Sequence, residues 1–199
     1  MQVFKEAFMS ISRFLSYSIN ELSLEEIEKF INKLVSVYYD SKKILVLGAG
    51  RSGLVGRAFA MRLSHLGYNV YVFGETINPP LNPGDILIAI SGSGRTKLIV
   101  TAAEVAKSLG AIVASITSYP DSPLGKLSDI VVRVPGRTKI SGEDDYNVRQ
   151  LMGIYEPLAP LGTLFEIATL VMLDAVIAEL MARLGKTEED LKSRHANVE

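Results

Sequence analysis

The run Ile86-Leu87-Ile88-Ala89-Ile90-Ser91-Gly92-Ser93-Gly94-Arg95-Thr96 decides how this chain is read. Five consecutive apolar residues predict a strand buried on both faces. The next six are two glycines, three hydroxyls and one cation, and from Lys97 to Leu109 apolar residues recur at helical spacing. The stretch is therefore a strand-to-helix turn. Glycines let such a turn bend tightly and bring the backbone close to a ligand. The first N–H groups of the helix lack intrahelical acceptors, and the helix dipole favours an anion beside them. Ser91, Ser93 and Thr96 supply more hydroxyls than one N-cap uses. A small phosphate ester needs this combination.

The same arrangement occurs one unit earlier. Lys43-Ile44-Leu45-Val46-Leu47 predicts a buried strand, followed by Gly48-Ala49-Gly50-Arg51-Ser52-Gly53 and a helix through Leu66. The spacing matches G-x-G-x-x-G, the dinucleotide fingerprint. The second strand, Asn69 to Phe73, puts Glu75 where a ribose-binding acid would stand. Against a dinucleotide, Arg51 and Ser52 bring a charge and a hydroxyl where that turn prefers small neutral residues. The second cradle at Ser91 also exceeds what a plain dinucleotide fold needs. Ala111 to Thr117 and Asp129 to Val134 predict strands four and five, with a turn cluster Ser118–Pro123 and one helical turn, Leu124 to Ser128, between them. Strands alternating with helices argue an α/β fold with a parallel sheet and right-handed crossovers. Ligands in such sheets bind at the carboxyl ends of strands, where both glycine loops lie.

The flanks read as helices. Apolar residues from Val3 to Ile19 have helical spacing, and Ser23-Leu24-Glu25-Glu26 is a capping-box signal opening a second helix. Neither carries a catalytic-looking polar cluster, so packing or subunit contact is their expected role. Pro135 to Pro160 is a long irregular segment with an acidic patch, Glu143-Asp144-Asp145, read as a flap over the site or a subunit contact. Gly162-Thr163-Leu164-Phe165-Glu166 opens the last long helix, which Gly185 ends. A first-turn carboxylate is favoured by the helix dipole, and the apolar neighbours of Glu166 would also push it toward a working base. Thr187, with Asp190 three residues on, starts a short helix, and Arg194-His195-Ala196-Asn197 follows. His65 precedes the helix-ending Gly67 and suits a partner for the helix C-terminus.

Composition bounds the chemistry. The chain has 199 residues, 48% hydrophobic and 22% charged, with a formal net charge of −1. That suits one domain with a sizeable core and offers no bulk charge for nucleic acid. With no cysteine, disulfides, thiol nucleophiles and Cys-type zinc sites are excluded, and two histidines argue against a His-rich metal site. Met1 to Ser18 is too polar for a signal peptide, and Ile167 to Leu184 carries Asp174, Glu179 and Arg183, unlike a membrane span. A soluble cytoplasmic protein is expected.

Together these motifs resemble the sugar isomerase (SIS) domain, and more narrowly the 6-phospho-3-hexuloisomerases. The residues carrying the resemblance are Gly50-Arg51-Ser52-Gly53, Phe59-Ala60-Met61-Arg62-Leu63, His65-Leu66-Gly67, Gly74-Glu75-Thr76, Ser91 to Thr96, Pro160 to Glu166, and Arg194-His195. Departures are local: the segment Gly136–Tyr155 is longer than the family's, and Leu161 stands where methionine is expected. The resemblance implies a three-layer α/β sandwich with a five-stranded parallel sheet, flavodoxin- or Rossmann-like, with extra N-terminal helices. It implies one SIS domain over residues 1–199: N-terminal helices at 1–40, an α/β core at 42–184, and a C-terminal helix and tail at 186–199. It implies a reversible isomerisation of D-arabino-3-hexulose 6-phosphate to fructose 6-phosphate through a cis-enediol, with no metal or other cofactor.

By the same carry-over, Ser91, Gly92, Ser93, Gly94, Arg95 and Thr96 bind the phosphate, with Arg51 and Ser52 reaching the sugar or phosphate. Glu166 is the carbon base, and His195, supplied by a neighbouring subunit, is the acid or the ring-opening group. The implied partners are a small sugar phosphate, a homo-oligomer (tetramer) of this chain and, functionally, a hexulose phosphate synthase, with no nucleic acid and no membrane. Two other readings stay open: a different SIS aldose–ketose isomerase, and a non-catalytic SIS module that senses a sugar phosphate. The length leaves no room for the extra domain that the first often carries. The first 40 residues lack the basic face of a DNA-binding domain that usually accompanies the second.

Overall fold

The computed structural model describes residues 1–136, 159–160 and 162–194. The acidic patch Glu143–Asp145, nearly all of the 135–160 segment, Leu161 and the tail from His195 onward lie outside the described residues. Two helices come first, α1 (Gln2–Ser18) and α2 (Leu24–Tyr39). The sheet strands are β1 (Lys43–Gly48), β2 (Asn69–Val72), β3 (Ile86–Ile90), β4 (Ile112–Thr117) and β5 (Ile130–Arg133). Between them run α3 (Gly50–Leu66), α4 (Lys97–Ser108) and the single turn α5 (Pro123–Leu127). The long α6 (Thr163–Leu184) and short α7 (Glu188–Ser193) complete the described chain.

All four strand pairings are parallel, in the order β2-β1-β3-β4-β5. Strand side chains alternate between two apolar clusters. Ile44, Val46, Ile86, Ile88 and Ile90 face α2, α3 and α6, whereas Leu47, Leu87, Ala89 and Val113 face α4 and α5. The faces follow from chirality. A right-handed crossover leftward from β1 to β2 puts α3 on one face, and a rightward one from β3 to β4 puts α4 on the other. The five-stranded parallel sheet between two helical layers is the α/β architecture expected from the sequence.

Local signals resolve individually. Thr187 and Asp190 form the reciprocal capping box. Ser23 caps α2, its Oγ accepting from Glu26 N at 3.3 Å. The other half of the predicted box is replaced: Glu26 Oε2 accepts from Arg133 N at 2.8 Å. β5 is an edge strand, so its outward N–H needs an acceptor that the sheet does not supply. The carboxylate thereby ties α2 to the sheet edge.

Aspartates at strand starts tie neighbours together. Buried Asp85 accepts from Lys43 N at 2.9 Å and Asn82 N at 2.7 Å, and pairs with Lys43 Nζ at 2.9 Å. Burial alone would raise its pKa, but the two amides and the ammonium together hold it below its ordinary value. A depressed carboxyl stabilises the fold above its unfolded pKa and loses that contribution as pH falls through the folded one. Asp85→Asn is expected to cost about 1–3 kcal/mol at pH 7 by leaving donors unmatched. Urea unfolding followed against pH checks this: the gap to wild type should close as the pH falls below the depressed pKa.

Candidate active site

The cleft opens where β1 and β3 lie side by side with their following helices on opposite faces. Its volume is about 220 Å³, and its wall combines Arg51 and Ser52 after β1, Ser91 to Ser93 with Thr96 after β3, and Glu166 on α6. Three segments remote in sequence thus meet at the carboxyl ends of two adjacent strands, the usual ligand position for such a sheet.

The β1 turn closes on its own glycines. A Cβ on Gly48 would stand 2.7 Å from the Ser52 carbonyl carbon, and one on Gly53 would stand 2.7 Å from the Gly48 oxygen. Glu75, placed for a ribose in a dinucleotide reading, instead pairs with Arg57 on α3. The fingerprint spacing therefore serves the tight turn that aims Arg51 and Ser52 into the cleft.

The β3 turn is braced from below. Gly92 O accepts from Ser118 N at 3.2 Å, and Gly94 O accepts from Leu124 N at 3.0 Å. Gly94 has φ +63°, and a Cβ there would fall 1.9 Å from Ser122 Oγ. Within the loop, Gly94 N donates to Ser91 O at 3.0 Å and Arg95 N to Ser93 Oγ at 3.3 Å. Ser91 Oγ and Thr96 Oγ1 stand 3.3 Å apart. Thr96 is the N-cap residue of α4 without a side-chain cap, so the first amides of that helix remain available to an anion. Arg95 is exposed and, like Gly94, does not line the cleft.

Glu166 is 5% exposed, in the first turn of α6. Its Oε2 accepts from Arg51 Nε at 3.1 Å, and its Oε1 faces Ser52 Oγ at 3.4 Å. The two residues expected to reach substrate are thus in contact with the expected base. Its placement depends on Gly162, which sequence reading did not single out. Gly162 has φ +88°, and a Cβ there would lie 2.7 Å from Glu166 Oε2. Gly136, also missed, approaches so closely that its Cβ would stand 2.4 Å from Phe165 N, locking the exit of β5 onto the start of α6. A glycine three or four residues before a helical acid was the one available signal.

Neither histidine is shown in the cleft. His65 is buried in the last turn of α3, fourteen residues beyond Arg51, or about 21 Å along the helix. His195 lies outside the described residues, but Arg194 before it is placed. Its guanidinium carbon stands 3.0 Å from a Cβ built on Gly67, at the far end of α3. Among the described residues there is no cluster of His, Cys, Asp and Glu able to hold a metal, and no helix long and apolar enough to cross a membrane.

With this geometry in hand, the chain is placed by its relatives. It belongs to the SIS domain family, whose model matches residues 37–166. More particularly, it is 40% identical to the 3-hexulose-6-phosphate isomerase of Bacillus subtilis, over 96% of this chain and 100% of that one. It is 63% identical to a protein of Aeropyrum pernix over 99% of this chain and 92% of that one. Among solved structures it resembles a Methanococcus jannaschii protein, from whose crystal structure a molecular function of 3-hexulose-6-phosphate isomerase was inferred. The TM-score is 0.73 and the identity 30%, covering 100% of this chain and 98% of the other.

The bracing of the β3 turn makes a paired expectation. Gly94→Ala meets both the left-handed strain, about 1–2 kcal/mol, and a fully buried neighbour. Gly50→Ala at φ +56° meets the strain alone, with nothing within 4 Å. Chemical unfolding of both variants should show Gly94→Ala losing clearly more stability.

Proposed function

We propose that the chain is an isomerase that interconverts D-arabino-3-hexulose 6-phosphate and D-fructose 6-phosphate. The observation that carries this reading is a buried carboxylate, Glu166, fixed on the wall of the cleft that holds the hydroxyl-lined N-terminus of α4. A relative that matches nearly end to end and carries this activity in its name supports the substrate choice.

The reaction moves a carbonyl from C3 to C2. Glu166 takes the proton from C2, the electron pair forms the C2–C3 double bond, and the C3 oxygen gains a proton. The cis-enediol then loses the proton on O2 while C3 is protonated from Glu166, leaving the ketone at C2. C2 is oxidised and C3 reduced by the same two electrons, so the balance needs no external redox partner. Ser91, Ser93 and Thr96, with the Gly92 amide, hold the phosphate; the Gly94 amide, expected there from the sequence, is spent on Ser91 within the turn, and Arg95 adds positive charge outside the cleft. Ser52 helps to orient Glu166, and Arg51 and Ser52 reach the sugar or the phosphate.

His195 completes the site as the acid acting at the oxygens. Gly67 and Gly50 bracket α3, about 25 Å apart. Arg194, the last described residue before His195, packs its guanidinium at the Gly67 end of α3, away from the cleft, which favours the cleft of a neighbouring copy for this role. This requires an oligomer, and we place the protein as a cytoplasmic tetramer with the whole chain acting as one SIS unit. Coupled to a hexulose phosphate synthase, the activity serves formaldehyde fixation through the ribulose monophosphate pathway. In reverse it supplies pentose phosphate.

The test is an assay in which a synthase makes the hexulose phosphate in place and fructose 6-phosphate is read out. A general base of this kind is worth about 10²–10⁴-fold. Glu166→Gln should lose that much in kcat while still binding fructose 6-phosphate. Undiminished turnover would move the base elsewhere. Absence of wild-type turnover, with sugar phosphate still bound, would point to another substrate or a sensor.

A further inference from the structure

We propose that Arg51 is a substrate-operated brake on Glu166: it clamps the carboxylate in the empty cleft and releases it when the phosphate ester binds. The idea rests on the isomerase reading of this cleft and adds a regulatory step to it.

The two halves of the ion pair differ in freedom. The Arg51 side chain is 57% exposed and that of Glu166 is 6% exposed. Glu166 is anchored on a long helix, with one oxygen facing Ser52 Oγ at 3.4 Å and the carboxylate against Gly162. Arg51 is the second residue of α3, and its side chain can swing without disturbing a helix hydrogen bond. Its contact uses Nε, at 3.1 Å, and the terminal amino groups carry four further N–H bonds. If the pair opens, the arginine is the half that moves.

The charges on the wall give a reason for it to open. Among the described residues lining the cleft, Arg51 and Glu166 alone are charged. The β3 turn contributes Ser91, Gly92, Ser93 and Thr96, all neutral. On α6 the next ionisable residue is Asp174, two turns away and exposed. A phosphate ester brings about −1.5 to −2 charge and three strong acceptor oxygens. Guanidinium binds phosphate in a two-pronged fashion that the single Nε contact to Glu166 does not match. The incoming ester therefore competes for Arg51 and wins on charge and geometry. A carboxylate beside a cation is a weak base, and one that loses the cation in a buried setting is stronger. Loss of this one cation thereby strengthens Glu166 as a carbon base when a substrate is present.

The experiment reads Glu166 directly. Protein carrying ¹³C at glutamate carboxyls is titrated by NMR, free and saturated with D-arabinitol 5-phosphate, a probe with the phosphate and polyol but no carbonyl. The Glu166 signal is the one missing from Glu166→Gln. In wild type the midpoint should rise by about one pH unit or more on binding. In Arg51→Gln the free protein should already sit at the raised position, and the probe should move it far less. No rise in wild type overturns the proposal. An equal rise in wild type and variant also overturns it, because exclusion of water by the probe then explains the shift. Arg51→Met serves as the second variant should the first fail to fold. The titration does not depend on turnover, so a protein inactive on hexulose phosphate but showing the arginine-dependent shift would overturn the substrate reading and keep the brake.

Discussion

The site depends on β1 and β3 being hydrogen-bonded neighbours although β2 lies between them in sequence. Having paired β2 on one side of β1, the chain must return to the other side for β3. The hand of the crossovers then sends α3 and α4 to opposite faces. Their first turns diverge, and the gap between them is the cleft. The two strands themselves, though not their pairing, were the most legible feature of the sequence. Lys43–Leu47 and Ile86–Ile90 are apolar runs ending in glycine turns, and only central parallel strands are apolar on both faces.

What was harder to read is what stands behind each turn. The serine- and glycine-rich loop announces an anion site, but its shape is imposed by Ser118, Ser122 and Leu124, which follow β4. Nothing in the residues Ser118 to Leu124 shows that their partners lie some 25 to 30 positions earlier. That information resides in the register of β3 against β4. Glu26 is a similar case. Its spacing from Ser23 satisfies the capping-box rule, and half the motif forms, yet the carboxylate serves an edge-strand amide. A local pattern gave way to a donor that only the assembled sheet exposes.

The candidate base shows the same division. Glu166 is recognisable in sequence as a first-turn acid with apolar neighbours, and the structure finds it buried there. Its contact with Arg51 and Ser52, 115 and 114 residues away, could not be read from spacing. The roles of Gly162 and Gly136 were not legible because they are steric: each leaves room, one for a carboxylate and one for a helix backbone. A glycine that permits a close approach carries no chemical signature of its own.

Holding a carboxylate and a phosphate in one small cleft is an electrostatic problem, since the two anions repel each other where water is partly excluded. The described wall answers with one cation against one carboxylate, which leaves its side chains neutral in sum. In the empty cleft, attraction for an arriving phosphate starts from the uncapped start of α4 and the hydroxyls around it, fixed dipoles that cannot migrate to the carboxylate, before Arg51 joins them. This separates the two tasks. The backbone end of the cleft holds the ester by partial charges built into a helix. The side-chain end keeps a base whose charge is balanced by a residue able to respond to what enters. A lysine lining the phosphate turn would bind the ester more tightly, but it would stand within reach of Glu166 and weaken it as a base. The choice of serine and glycine there follows from the need to bind one anion without silencing the other.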